Sequence, residues 1–173
     1  AAKQPRRPPR HRRRRQPHAR AGSLVLLDGS PAAWLGDAQP ALTLHGAMDD
    51  AGGEVLALHF RPTEDLHGYA VVLQTVFTTH GLPVACYGDG TSILTRSDEH
   101  WSLEEELRGV QDPTHLGRVL ADLGIGYVRA RSPQAKGRIE RLWRTLQDRL
   151  SAELRLRDIT TPQAGNAFLP LFI

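Results

Sequence analysis

Three apolar, strand-like runs follow one another before any helical periodicity begins, and this order most constrains the fold. They are residues 24–28, 41–48 and 54–60. Between the last two lies Asp49-Asp50-Ala51-Gly52-Gly53, a strong turn signal that makes them a hairpin. A helix is then expected from about 64 to 80, capped by Thr63 and ended by Gly81, because Leu66, Tyr69, Ala70, Leu73, Val76 and Phe77 recur at helical spacing. Pro83–Tyr87 reads as a short strand, 114–123 as a helix stopped by Gly124, and Ile125–Ala130 as another strand. The last strong element is a helix from about 134 to 157. The order β-β-β-α-β-α-β-α predicts a mixed sheet that starts with a three-stranded antiparallel meander and is flanked by helices. Residues 90–111, with Glu104-Glu105-Glu106, lack clean periodicity and read as a mobile excursion with at most a short helix. No internal repeat is visible.

Charge divides the chain. Residues 1–20 contain nine of the 22 Lys/Arg and no acid, leaving 13 basic against 19 acidic residues in the rest, a balance of −6. The Arg/Pro/His/Gln-rich stretch 1–22 cannot bury enough apolar surface to offset its ordering entropy. It is expected to be a disordered arm, either a solvated linker or a phosphate-binding segment through residues such as Arg12, Arg13, Arg14 and Arg15. Residues 23–173 form the expected folded core. Leu169–Ile173 is apolar and stops abruptly, as expected of a chain truncated within a longer protein.

Several classes find no support. The single cysteine, Cys86, can form neither an intrachain disulfide nor a zinc pair and reads as a buried inert thiol. A reducing, cytoplasmic compartment is the expectation. No apolar run reaches the ~20 residues that span a bilayer, and no signal core follows the basic N-terminus. A phosphate-binding Gly-x-x-x-x-Gly-Lys loop, a serine elbow and a His-x-x-x-His pair are all missing from the sequence.

The chemistry sits in carboxylates. Asp28 follows Leu24-Val25-Leu26-Leu27, and Asp89 follows Val84-Ala85-Cys86-Tyr87-Gly88, so each is read at the end of an apolar strand. Each could also be a strand-terminating Asx turn. Asp49 and Asp50 are better explained as hairpin-turn residues. Glu140 follows the Pro/Gly-punctuated stretch Ser132–Gly137 and lies on the flank of a helical stripe made by Ile139, Leu142, Trp143, Leu146 and Leu150. Lys136 and Arg144 stand one turn either side of it, so it could simply be a surface glutamate in i,i+4 pairs. Oxygen ligands from three separate elements, however, suit Mg²⁺ or Mn²⁺, which also accept phosphate oxygens. Two such ions can activate an attacking oxygen and stabilise the leaving one.

These segments carry a resemblance. Leu27-Asp28-Gly29-Ser30 with Trp34-Leu35, Gly46-Ala47-Met48-Asp49-Asp50-Ala51-Gly52, Gly81-Leu82-Pro83 with Tyr87-Gly88-Asp89, and Ser132–Arg141 are similar to the catalytic core of Asp-Asp-Glu transposases and retroviral-type integrases. The likeness is strongest to bacterial insertion-sequence transposases and covers roughly residues 23–173. It implies an RNase H-like fold, with Asp28, Asp89 and Glu140 as the catalytic and metal-binding triad. It implies metal-dependent DNA cleavage and strand transfer, with transposon ends and target DNA as partners and a homo-oligomer as the acting form. Lys136, Arg138 and Arg144 would then join the arm as nucleic-acid contacts. Fifty residues separate Asp89 from Glu140, more than in retroviral integrases, and the acidic stretch 90–111 accounts for the excess. No helix-turn-helix or zinc module is expected within residues 1–22. The alternatives are a truncated remnant that binds DNA without cutting it and, more weakly, a host RNase H-like nuclease.

Overall fold

The computed structural model describes residues 16–89, 92–94, 96, 101–130 and 133–173, with the backbone alone for 133–136. The expected arm, including Arg12–Arg15, lies almost wholly outside the described residues, as do the side chain of Lys136 and parts of the 90–111 stretch.

Strands β1 (Val25–Ala32), β2 (Leu42–Asp49) and β3 (Val55–Arg61) form the antiparallel meander. Helix α1 (Leu66–Thr79) follows, then β4 (Ala85–Gly88), α2 (Leu103–Arg108), α3 (His115–Asp122), β5 (Gly126–Arg129), α4 (Pro133–Leu156) and α5 (Pro162–Phe172). The sheet order is β3-β2-β1-β4-β5, with β4 parallel to both β1 and β5. The mixed sheet with its opening meander is therefore as expected.

The two faces of β1 show why three layers form. Leu24 and Leu26 pack with Ile139, Trp143, Leu146, Leu150 and Leu154 of α4 and Leu169 of α5. Val25 and Leu27 pack with Tyr69, Val72, Leu73 and Val76 of α1 and Leu116 and Leu120 of α3. Alternation along a strand sends successive side chains to opposite layers. Both layers are apolar, so β1 lacks the polar face of a half-exposed strand. Cys86 is fully buried, and burial pushes its thiol up to about 12, in keeping with the inert thiol expected.

Four local expectations need correction. First, β1 does not end at Asp28 but runs to Ala32, paired with Leu42 of β2. Gly29-Ser30-Pro31 has turn propensity, and pairing with β2 overrides it. Second, α1 is capped by Asp65, not Thr63. The Asp65 carboxylate accepts from the Gly68 amide at 2.8 Å and from Arg61. Third, Pro133–Gly137 is the first part of α4 and not a separate loop; proline is well tolerated in a first turn, where its missing N–H has no helical partner.

Fourth, the acidic stretch carries the short helix that was expected, and one of its acids is buried where only surface acids were read. Helix α2 opens with a capping box between Ser102 and Glu105. Glu105 is buried, accepting from the Ser102 and Asp112 amides, each at 2.8 Å, and from Arg96. The middle glutamate of the trio braces the segment, while Glu104 and Glu106 remain exposed.

Helix α5 was legible only as an apolar tail. Thr161 caps it and Pro162 starts it. Its Asn166 accepts from the Phe60 amide at 2.7 Å and donates to the Phe60 carbonyl at 3.2 Å. Phe60 lies on β3, the edge of the sheet. One side-chain amide thus occupies edge groups that would otherwise be open to another strand.

Candidate active site

The site is built where β1 and β4 run in parallel. Val25 is opposite Cys86 and Leu26 opposite Tyr87. Continuing that register by two residues brings Asp28 beside Asp89, which lies one residue past the end of β4. Both are half-buried. Asp89 follows its strand as read, whereas Asp28 sits in the middle of β1.

Helix α4 passes over β1 and is tied to it. The Trp143 indole Nε1 donates to Asp28 Oδ2 at 2.9 Å. One turn on, Gln147 Nε2 donates to Ser30 Oγ at 3.3 Å. Steps of four residues on the helix and two on the strand cover similar lengths, about 6 Å and about 6.6 Å, so the two elements run in register. Glu140 is three residues before Trp143, on the same side of the helix, and is exposed. Trp143 is buried, as expected of the apolar stripe.

The surrounding groups fix the two strands. Tyr127 donates through its hydroxyl to the Asp89 carbonyl at 2.7 Å. A Cβ on Gly88 would come within 2.8 Å of that hydroxyl, so glycine is what lets Tyr127 reach the strand end. Burial, followed by the charge of Asp89, raises the Tyr127 pKa. On the opposite face of β1, Tyr69 donates to Glu64 Oε1 at 2.6 Å. Burial first, then the Glu64 acceptor, then the fields of Asp28 and Asp89 raise its pKa, so it stays a proton donor. The carboxyl carbon of Glu64 would stand 3.1 Å from a Cβ on Gly29. Trp143, Tyr127 and Glu64 were missed as site neighbours. The glycines beside both aspartates were the available signal, since each marks a close approach.

The basic residues divide. Arg144 is exposed one turn beyond Glu140. Arg138 turns inward: its guanidinium donates to the Asp50 carbonyl and stands 3.3 Å from Asp50 Oδ1, a carboxylate with no exposed surface. Asp50 also accepts from the His18 amide at 2.8 Å. Asp49, its neighbour, accepts from the Gly22 and Gly52 amides, each at 2.9 Å. The turn aspartates therefore serve the fold, as read.

Two half-buried carboxylates, one in β1 and one just past the end of the neighbouring β4, with a third on a helix that passes over β1, are hard oxygen donors suited to a divalent ion. Among the described residues, no group of three or more His, Cys, Asp or Glu side chains is gathered closely enough to hold one. Also among them, no helix is long and apolar enough to cross a membrane.

Comparison with protein-family models finds no match. The putative transposase y4bF of Sinorhizobium fredii (strain NBRC 101917 / NGR234) is 40% identical over 152 residues, covering 88% of this chain and 32% of the relative. The transposase for insertion sequence IS1202 of Streptococcus pneumoniae is 38% identical over 154 residues, with the same two coverages. The chain thus spans about a third of the length of the curated relatives it matches. In fold it is similar to the catalytic core domain of BIV integrase, with TM-score 0.57 and 18% identity over 84% of this chain and 79% of that one. It is likewise similar to the HTLV-2 integrase catalytic core in complex with magnesium (trimeric form), with TM-score 0.59 and 12% identity over 84% and 80%. A third likeness is to the simian T-cell lymphotropic virus intasome, with TM-score 0.62 and 14% identity over 93% and 52%. The chain therefore shares the RNase H-like architecture of these integrase cores, and over most of its own length it is similar in sequence to the two transposases.

Proposed function

We propose that this chain is the part of an insertion-sequence transposase that cuts and joins DNA strands, with Asp28, Asp89 and Glu140 as its catalytic carboxylates. The observation that carries the reading is the pairing of β1 with β4, which sets Asp28 beside Asp89, under a helix that carries Glu140 and is hydrogen-bonded to Asp28. The HTLV-2 relative in fold is described as a magnesium complex, and the carboxylate set here has the donor chemistry for Mg²⁺ or Mn²⁺. When bound, such ions would supply charge stabilisation at the attacked phosphodiester and lower the pKa of an attacking hydroxyl or water.

The chain's own residues do the positioning. Asp28 presents its oxygens from within β1, and Asp89 from the residue just past β4, so both are carried on the sheet's framework. Glu140 is exposed on α4 and can approach from the helix side. Arg144 is exposed a turn away and, with Lys136, would meet the phosphates of the strand being processed. The arm, residues 1–20, would add sequence-independent affinity through its nine cations. Partners would be transposon ends, target DNA and further copies of the chain. The fold neighbours are described as a trimer and as an intasome. Action on DNA would place the protein in the bacterial cytoplasm, at the nucleoid.

The test grafts residues 23–173 into an intact relative in place of its own core, then supplies that relative's DNA ends with Mn²⁺. The graft should nick the ends and transfer the new 3′-hydroxyls. Glu140→Gln keeps size and hydrogen bonding but removes a ligand charge, so turnover should fall by about two orders of magnitude or more while end binding persists. A graft that binds ends yet neither nicks nor joins them would overturn the catalytic reading in favour of a DNA-binding remnant.

A further inference from the structure

Trp143 does more than fill the core, and the residue that permits it is Gly46, 97 residues earlier on β2. Asp28 of β1 is directly opposite Gly46 of β2. A Cβ built on Gly46 would lie 2.5 Å from Trp143 Cη2 and 3.4 Å from Cζ2. No side chain larger than hydrogen fits while the indole keeps its place, and that place puts Nε1 at 2.9 Å from Asp28 Oδ2. Phenylalanine or leucine could supply the apolar packing of this stripe; only tryptophan adds a donor at that point. An indole N–H donates and cannot accept, so it holds one Asp28 oxygen from the side of α4. We propose that Trp143 is a positioning residue for Asp28, orienting its carboxylate toward a divalent cation, and that Gly46 is the gap that seats it.

The inference rests on the triad reading above, because it assigns Asp28 a cation to face. It also explains the helix register. Glu140 precedes Trp143 by one turn, so the bond that orients Asp28 also sets how far along β1 Glu140 stands. Groups that hold metal-ligating side chains commonly change metal affinity by about 10- to 100-fold when removed.

Mn²⁺ binding to the full chain, followed by calorimetry and by the electron-spin signal of free Mn²⁺, separates this role from packing. Trp143→Phe keeps an aromatic in the core and removes the N–H; its Mn²⁺ affinity should fall about tenfold. Gly46→Ala leaves Trp143 in the sequence but displaces its ring, and should weaken Mn²⁺ similarly. Wild-type Mn²⁺ affinity in both variants would overturn the proposal. Asp28→Asn is the reference: if it too binds Mn²⁺ like wild type, the triad reading itself fails, whereas a defect in Asp28→Asn alone defeats only the role of Trp143. Should the core variants not fold, the wild-type indole ¹⁵N–¹H signal of Trp143 decides, assigned with Trp34→Phe and Trp101→Phe. It should shift on Mg²⁺ addition, and an invariant signal counts against the proposal.

Discussion

Replacing Arg138 by alanine would take a guanidinium off a carboxylate that stays fully buried. Asp50 has no exposed side-chain surface, while Arg138 keeps 27% of its own. At 3.3 Å and an effective dielectric of about 20, the attraction is about 5 kcal/mol. Desolvation of the partly exposed guanidinium offsets some of this, and the His18 amide still donates to Asp50 after the change. The expected net loss is about 3 kcal/mol, the lower end of what removing one partner of a buried pair costs. For a chain of this size that is a fall in Tm of about 6–12 °C. Urea unfolding should show a lower midpoint with an unchanged slope. The cost should be asymmetric. Asp50→Asn removes the buried charge, keeps an acceptor for the His18 amide and leaves a cation that can reach water, so it should cost less than Arg138→Ala. If Arg138→Ala lies within about 0.5 kcal/mol of wild type, or if Asp50→Asn is the worse variant, the reasoning is refuted. An unchanged midpoint with a weaker salt dependence of DNA affinity would show instead that Arg138 belongs to the DNA surface.

Two further outcomes test the structural devices around the site. Asn166→Ala removes both hydrogen bonds to Phe60 on the edge strand and should cost about 1–2 kcal/mol, since water can partly replace them, with light scattering rising as the edge opens. Asn166→Asp turns its donor into an acceptor facing the Phe60 carbonyl, so an aspartate variant as stable as wild type would contradict the bracket. Glu105 provides a pH test. The Ser102 amide first, then the Asp112 amide, with Arg96 adding to them, hold its carboxyl down from 4.5 to about 2. Its folded-state pKa is depressed, so its contribution is fully present above 4.5 and is lost as pH falls toward 2. Glu105→Gln should be less stable at neutral pH and lose less on acidification; parallel curves for the two proteins would exclude this account.

What the sequence determined by itself was mostly local. The meander, the helical stripe from Ile139 to Leu150 and the turn at Asp49–Gly53 follow from periodicity and turn chemistry, which act over a few residues. The paired strands and the buried Trp143 came out as those patterns imply. Errors arose where a distant partner outweighed local propensity. Gly29-Ser30-Pro31 is strand because β2 pairs with it, and Asp65 caps α1 because Arg61 holds it there. Glu105 is buried because Arg96 and two amides meet it, although its neighbours are surface acids. Tertiary structure alone decided that β4 lies against β1, and hence that Asp28 stands beside Asp89. Strand order depends on how the crossovers pack, and no local pattern encodes it. The same holds for Gly46. Its need for hydrogen in place of a side chain comes from a tryptophan 97 residues later, and such a close approach exists only once the helix has docked on the sheet.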